Sequence, residues 1–248
     1  MQYGLRILSI VLGFGLPLLP GCSAANDDAL FKAIRARDTK QVERILAEGN
    51  VVLDPPQQPN QVNKPLAYAA AYGNLDIVKA ILARGADING QVAYGDVPLI
   101  KAAEHSNHEI IKHLLEQGAD VNRPNAFGVS PFIGFCASDD VELVKLALKH
   151  GGKVNESYVE QTQQNQGKKN DTALQAAVAY GKTDVVKLLL ANGGDPSIKD
   201  QSGKTCLDLA QAKNHTDIIG LLKANPDKPD AGDGLQPLVL ICDTASAR

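Results

Sequence analysis

From Lys64 to Asn89 the chain reads KPLAYAAAYGNLDIVKAILARGADIN, and its apolar positions fall into two helical stripes. Leu66, Ala69 and Ala70 form the first, behind Pro65 at a first helical position, where a missing N–H costs nothing. Ile77, Val78, Ile81 and Leu82 form the second, which Gly85 closes. Gly73, between them, is read as a left-handed stop for the first helix. The predicted unit is helix, turn, helix, loop. Two short helices cannot bury their apolar faces alone, so the unit implies neighbours stacked beside it.

Those neighbours recur in register. Pro98 and Gly118 follow Pro65 and Gly85 by 33 residues, and Pro131 and Gly151 follow by a further 33. Ala173 and Gly193 come 42 later, Cys206 another 33 on, and Ala29 and Gly49 stand 36 upstream. The stretches VPLIKAAEHSNHEIIKHLLEQGADVN, SPFIGFCASDDVELVKLALKHGGKVN and TALQAAVAYGKTDVVKLLLANGGDPS repeat the first, with weaker copies at each end.

A 33-residue period with Pro-Leu, paired small residues, a Val-Val-Leu-Leu-type run and Gly-Ala-Asp-Val-Asn resembles the ankyrin repeat. The resemblance implies an all-α solenoid of about six helix-turn-helix repeats with short β-hairpin loops, over residues 28–225. It implies a macromolecule-binding array and no catalysis.

Within the array, Gly95 and Gly128 are expected at hairpin tips, and Ser130, Thr172 and Thr205 as caps of the helices that follow them. The fourth repeat departs most from the pattern. Asp139 replaces the turn glycine, Phe135 a small helix residue and Gly152-Lys153 the usual Ala-Asp, so a local distortion is expected there. The nine residues in excess of the period between repeats four and five fall in Glu156 to Lys169, at the hairpin edge, where function collects. Pro55, Pro56 and Pro59 stiffen a lengthened loop before the second repeat.

Residues 1–21 differ in composition from the rest: Arg6, then an almost wholly apolar run from Ile7 to Leu19 that is too short and too rich in glycine to span a membrane comfortably. This is an export signal. Leu19-Pro20-Gly21-Cys22 resembles the bacterial lipoprotein box, which implies cleavage before Cys22 and lipidation of its thiol, although Pro20 departs from the usual small residue. The alternative is an ordinary cleaved signal ending around Cys22-Ser23-Ala24 and a soluble periplasmic product. Buried acyl chains contribute about 0.8 kcal/mol per CH₂, enough for a multiply acylated Cys22 to hold the chain on a membrane. Ser23 resembles the outer-membrane sorting pattern, so the array is expected to face the periplasm. Residues 22–27 then form a tether, 28–225 the array and 226–248 a C-terminal tail.

Composition removes several other functions. A formal net charge of −3 with no concentrated basic face argues against nucleic acid. Gly203-Lys204-Thr205 resembles the end of a phosphate loop, but Ile198 stands in place of its first glycine. No G-x-S-x-G, H-E-x-x-H or C-x-x-C motif occurs. His105, His108, His113 and Glu109 form a cluster, but His108 and His113 lie five apart rather than four and no second cluster completes a shell. No metal and no cofactor are therefore expected, and His113 is read as a half-buried structural residue. Cys136 and Cys206 stand two repeats apart, too far to bridge. Cys206 is either a free buried thiol or the partner of Cys242 in the tail.

Surface remains. The resemblance implies that partners are held on the concave face by hairpin tips and by exposed positions at the ends of the first helices. Carried over, these are Tyr72, Glu104, His105 and Tyr180 at helix ends and Tyr94, Asp96, Phe127, Lys168, Lys169 and Asp171 at the hairpins, with Tyr158 in the insertion. Aromatics at such positions are preferred interface anchors. The expected partner is a protein. The leading expectation is an immunity protein that inhibits a toxin acting in the periplasm, a lipase first among candidates. The other is a scaffold or maturation factor for a resident periplasmic enzyme such as a haem catalase or peroxidase.

Overall fold

The computed structural model describes residues 24–49, 51–54, 64–162 and 171–224. Cys22, the signal segment, the prolines at 55, 56 and 59, Lys168, Lys169, Cys242 and the tail lie outside the described residues.

Among the described residues twelve α-helices form six antiparallel pairs. They are α1 (Ala24–Arg35) with α2 (Thr39–Ala47), α3 (Pro65–Tyr72) with α4 (Leu75–Ala83), and α5 (Pro98–Glu104) with α6 (His108–Glu116). The second half pairs α7 (Pro131–Cys136) with α8 (Val141–Lys149), α9 (Ala173–Ala179) with α10 (Thr183–Ala191), and α11 (Cys206–Lys213) with α12 (Thr216–Ala224). First helices pack on first helices and second on second, so the array has two helical layers. Helix α1 begins at Ala24, inside the stretch expected as a tether, because no breaker separates Ala24-Ala25 from the apolar stripe that follows.

One apolar cluster runs between the layers from Leu30 to Leu222. Leu66, Ile77, Ile81, Leu99, Ile111, Leu114, Phe132 and Leu174 are fully buried in it. Each repeat therefore completes its core only against its neighbours, as a solenoid requires.

The caps fall where the sequence predicts them. Ser130 Oγ accepts from Ile133 N at 3.3 Å, and Thr172 and Thr205 form capping boxes with Gln175 and Asp208. Gly73 ends α3 by a different route from the one expected. Its φ is −77°, not left-handed, and a Cβ there would sit 2.7 Å from Ala69 O. Close backbone approach, rather than handedness, requires the glycine.

A second ladder links the loops. The asparagine that ends each Gly-Ala-Asp-x-Asn motif, and its counterpart in Gly151-Gly152-Lys153-Val154-Asn155, reaches into the next repeat: Asn89 Oδ1 accepts from Asp120 N at 2.8 Å, Asn122 Oδ1 from Lys153 N at 2.9 Å and Asn155 Oδ1 from Asp195 N at 2.8 Å. Asn122 and Asn155 also donate through Nδ2 to Gly151 O and Gly193 O. These amides fix the spacing of successive loops.

Cys136 and Cys206 are free and fully buried. Burial pushes both thiols up, that of Cys206 to about 12 with help from the carboxylates of Asp171, Asp195 and Asp200. Only the thiolate reacts, so neither should be alkylated in the folded protein at about pH 8, and both should be once it is unfolded in urea. Mass spectrometry of the peptides carrying Cys136 and Cys206 reads this directly.

Candidate functional site

The expected hairpins are tight turns, and no strand is formed among the described residues. In the third repeat Val92 N donates to Asp96 O at 2.8 Å and Gly95 N to Val92 O at 2.9 Å. Tyr94, between them, is held at φ +59°, a conformation uncommon for a side chain of its size. The turn thereby lifts the Tyr94 ring into solvent, where it is 70% exposed. It stacks on Phe127 of the next turn, ring centroids 5.7 Å apart.

Backbone hydrogen bonds join these turns to the insertion. Ala126 N donates to Tyr94 O at 2.6 Å, and Gln161 N donates to Ala126 O at 2.9 Å. Asn125 orients the second turn, its Oδ1 accepting from Phe127 N and Val129 N at 3.0 and 3.1 Å. Its Nδ2 donates to Asp96 Oδ1 at 2.9 Å, and the other oxygen of Asp96 is 2.7 Å from Lys101 Nζ. Asp96 is thus only 6% exposed and fully engaged. It positions the turns from beneath and is not presented to a partner, contrary to the sequence reading.

Lys101 continues the chain of charge to the helix ends. Burial disfavours its ammonium, but Asp96 and Glu104 outweigh that and hold its pKa above the ordinary value. Glu104, 3.0 Å from Lys101 Nζ, keeps its exposed carboxylate beside His105.

A second aromatic surface lies on the first-helix layer. Tyr72, 41% exposed, packs edge-on against His105 at 4.7 Å. Tyr68 meets Tyr72 at 4.7 Å, and Phe31 meets Tyr68 edge-on at 5.0 Å. Four rings therefore run across three repeats, of which the sequence reading singled out two. Phe31 and Tyr68 escape that reading because they sit in the middle of their helices rather than at the ends. Arg37 Nε, donating to Tyr72 O at 3.2 Å, ties the end of α3 to the first repeat.

Tyr180, 40% exposed, stands apart from both surfaces on the fifth repeat. Burial and Asp171 raise its pKa, while burial and Asp200 raise that of Asp171, which is half-buried. Tyr158 is half-buried against the core and donates to Glu156 Oε2 at 3.1 Å, so it braces the insertion. Among the described residues no cluster of three His, Cys, Asp or Glu is arranged to hold a metal. His105 is on Tyr72, His108 is paired with Asp140, and His113 is half-buried on α6.

Comparison with known families agrees with this geometry. The family described as "Ankyrin repeats (3 copies)" matches residues 99–200 and 135–233, and "Ankyrin repeats (many copies)" matches 66–115. The chain belongs to the ankyrin-repeat family. The crystal structure of EF0377, an ankyrin repeat protein, is 33% identical and superposes with a TM-score of 0.65, over 79% of this chain and 96% of that one. No curated protein matches. Ankyrin arrays are protein-binding modules and generally non-catalytic, so the two aromatic surfaces are read as contact surfaces for a protein. Among the described residues no helix of this array is long and apolar enough to cross a membrane.

Proposed function

We propose that this ankyrin array is a tethered inhibitor: an immunity protein, lipidated at Cys22 and held at the periplasmic face of the outer membrane, that binds and occludes an antibacterial toxin acting in the periplasm. The observation that carries the reading is the pair of aromatic surfaces, Tyr94-Phe127 on the turns and Phe31-Tyr68-Tyr72-His105 on the helices, in which Tyr94, Tyr72 and His105 are exposed and Phe127, Phe31 and Tyr68 half-buried, on a family of protein-binding arrays. Exposed aromatic patches on a soluble array mark contact surfaces, and tyrosines are frequent hot spots. A rigid row of rings is suited to plugging an enzyme cleft, because little side-chain entropy is lost when it docks. A lipid-attacking enzyme is the first candidate, since a tether at Cys22 would hold the inhibitor where that substrate lies.

The test is survival of a strain lacking the gene, grown on a surface among unmodified siblings and alone. Death only among siblings, rescued by the gene and not by a Cys22→Ala copy, is the expected result. Equal survival in both settings would end the immunity reading and favour a scaffold for a resident periplasmic enzyme.

A further inference from the structure

The column just before each second helix ties one repeat to the one before it at four successive junctions. Asn74 Nδ2 donates to Thr39 Oγ1 at 3.2 Å, and Asn107 Nδ2 donates to Ala70 O and Ala71 O at 2.8 and 3.0 Å. Asp140 pairs with His108, and Lys182 Nζ donates to Asp139 Oδ2 at 2.7 Å. In the sixth repeat the column holds His215, whose Nε2 is buried without a partner. Gln175 Nε2, donating to Ile198 O at 2.9 Å, still ties α9 to the loop before α11.

The turns differ at the same junction. Before α7, Asn125 Oδ1 accepts from Phe127 N and Val129 N, and its Nδ2 donates to Asp96 of the preceding turn at 2.9 Å. Before α11 that position is Asp200, whose Oδ1 accepts from Ser202 N and Lys204 N, each at 2.8 Å. The backbone matches as well, Asp200 N donating to Lys204 O as Asn125 N donates to Val129 O. Asp171 stands two residues before α9, as Asp96 stands two residues before α5. The second oxygen of Asp200 therefore takes the place from which Asn125 offers an amide to Asp96, and an ionised carboxylate has no proton to offer.

The lysine that neutralises Asp96 is missing too, because Ala176 takes the place of Lys101. Asp171 is half-buried, and among the described residues no hydrogen bond reaches its carboxylate. The titratable groups that face it are Asp200 from the turn before α11, Cys206 at the start of α11 and Tyr180 at the end of α9. None of these is a cation. Burial, and then Asp200, hold the Asp171 carboxyl above its ordinary value. Two facing carboxyl groups relieve their repulsion by keeping one proton between them, which makes the bond that Asn125 makes to Asp96.

We propose that Asp171 and Asp200 form an acid-set latch: with one proton between them they tie the sixth repeat to the fifth, and with both ionised they repel and loosen it. Asp171 titrates higher in the folded chain than in the unfolded one, so the sign follows. The latch's stabilisation is complete below the ordinary carboxylate range and is lost as pH rises through the raised value of Asp171. The last repeat is held firmly in acid and more loosely near neutrality. This device belongs to the chain itself and does not depend on the inhibitor reading.

The test compares the full chain with its Asp200→Asn variant. The new amide keeps the acceptor for Ser202 N and Lys204 N and supplies a donor to Asp171, rebuilding the pairing of the third and fourth repeats. Carbon-13 NMR of the carboxyl groups should find Asp171 titrating above the ordinary range in the natural protein and lower in the variant. Amide exchange of α11 and α12, compared at each pH, should be at least about threefold slower in the variant at about pH 7, and the ratio should fall towards one by about pH 4. Asp171→Asn, which supplies the donor from the other side, should act in the same direction. Titration of Asp171 in the ordinary range, an exchange ratio that does not change with pH, or faster exchange in both variants at about pH 7 would each overturn the proposal.

Discussion

Replacing Phe132 with Ala is expected to lower the unfolding free energy by about 3–5 kcal/mol, the largest stability loss expected of the substitutions considered. The ring is fully buried and stands in the column of Leu66, Leu99, Leu174 and Leu207. Its extra volume is matched by Gly152, which stands where Ala86 and Ala119 stand in the preceding repeats. A Cβ at Gly152 would come within 2.7 Å of two carbons of the Phe132 ring. Gly152→Ala alone should therefore overpack the site and cost about 1–3 kcal/mol. Adding Phe132→Leu rebuilds the Leu-Ala pair of the neighbouring repeats, and the double variant should lie within about 1 kcal/mol of the natural protein. Urea unfolding of the four proteins, followed by far-ultraviolet circular dichroism, measures the cycle. Additive losses would mean that the two residues do not exchange volume.

That exchange marks the limit of what the sequence discloses. The period, the helix starts at Pro65, Pro98 and Pro131, and the caps at Ser130, Thr172 and Thr205 are legible because each depends on residues a few positions apart. The oddities of the fourth repeat are legible as departures, and α7, at six residues, is the shortest of the described α-helices. Their packing consequences are not legible, because Phe132 on α7 meets Gly152 in the loop after α8, and the match of the two appears only once the chain is folded. Asp96 misleads for a similar reason. A carboxylate in a turn looks solvated until Lys101 and Asn125, from two other elements, are found to enclose it. The hydrogen bonds from Ala126 to Tyr94 and from Gln161 to Ala126 are backbone contacts between loops, on which side-chain patterns are silent.

The aromatic surfaces should dominate function as Phe132 dominates stability. Tyr72→Ala, Tyr94→Ala, Phe127→Ala and Tyr180→Ala together are expected to abolish protection among siblings, while the amount of protein in the envelope and its dichroism spectrum stay unchanged. Hot-spot tyrosines contribute about 2 kcal/mol or more each, about a thirtyfold change in affinity, so loss of two already exceeds the range in which an inhibitor works at low concentration. Folding should survive because Tyr72, Tyr94 and Tyr180 are at least 40% exposed and pack little of the core. The two surfaces are separable by pairs. Tyr94→Ala with Phe127→Ala removes the stacked turn rings and leaves the row from Phe31 to His105 intact, whereas Tyr72→Ala breaks that row at its centre. Equal loss from the turn pair and from Tyr72→Ala would mean that one partner spans both surfaces. Full protection by the fourfold variant would remove the aromatic face from the mechanism, and with it the observation that carries the inhibitor reading.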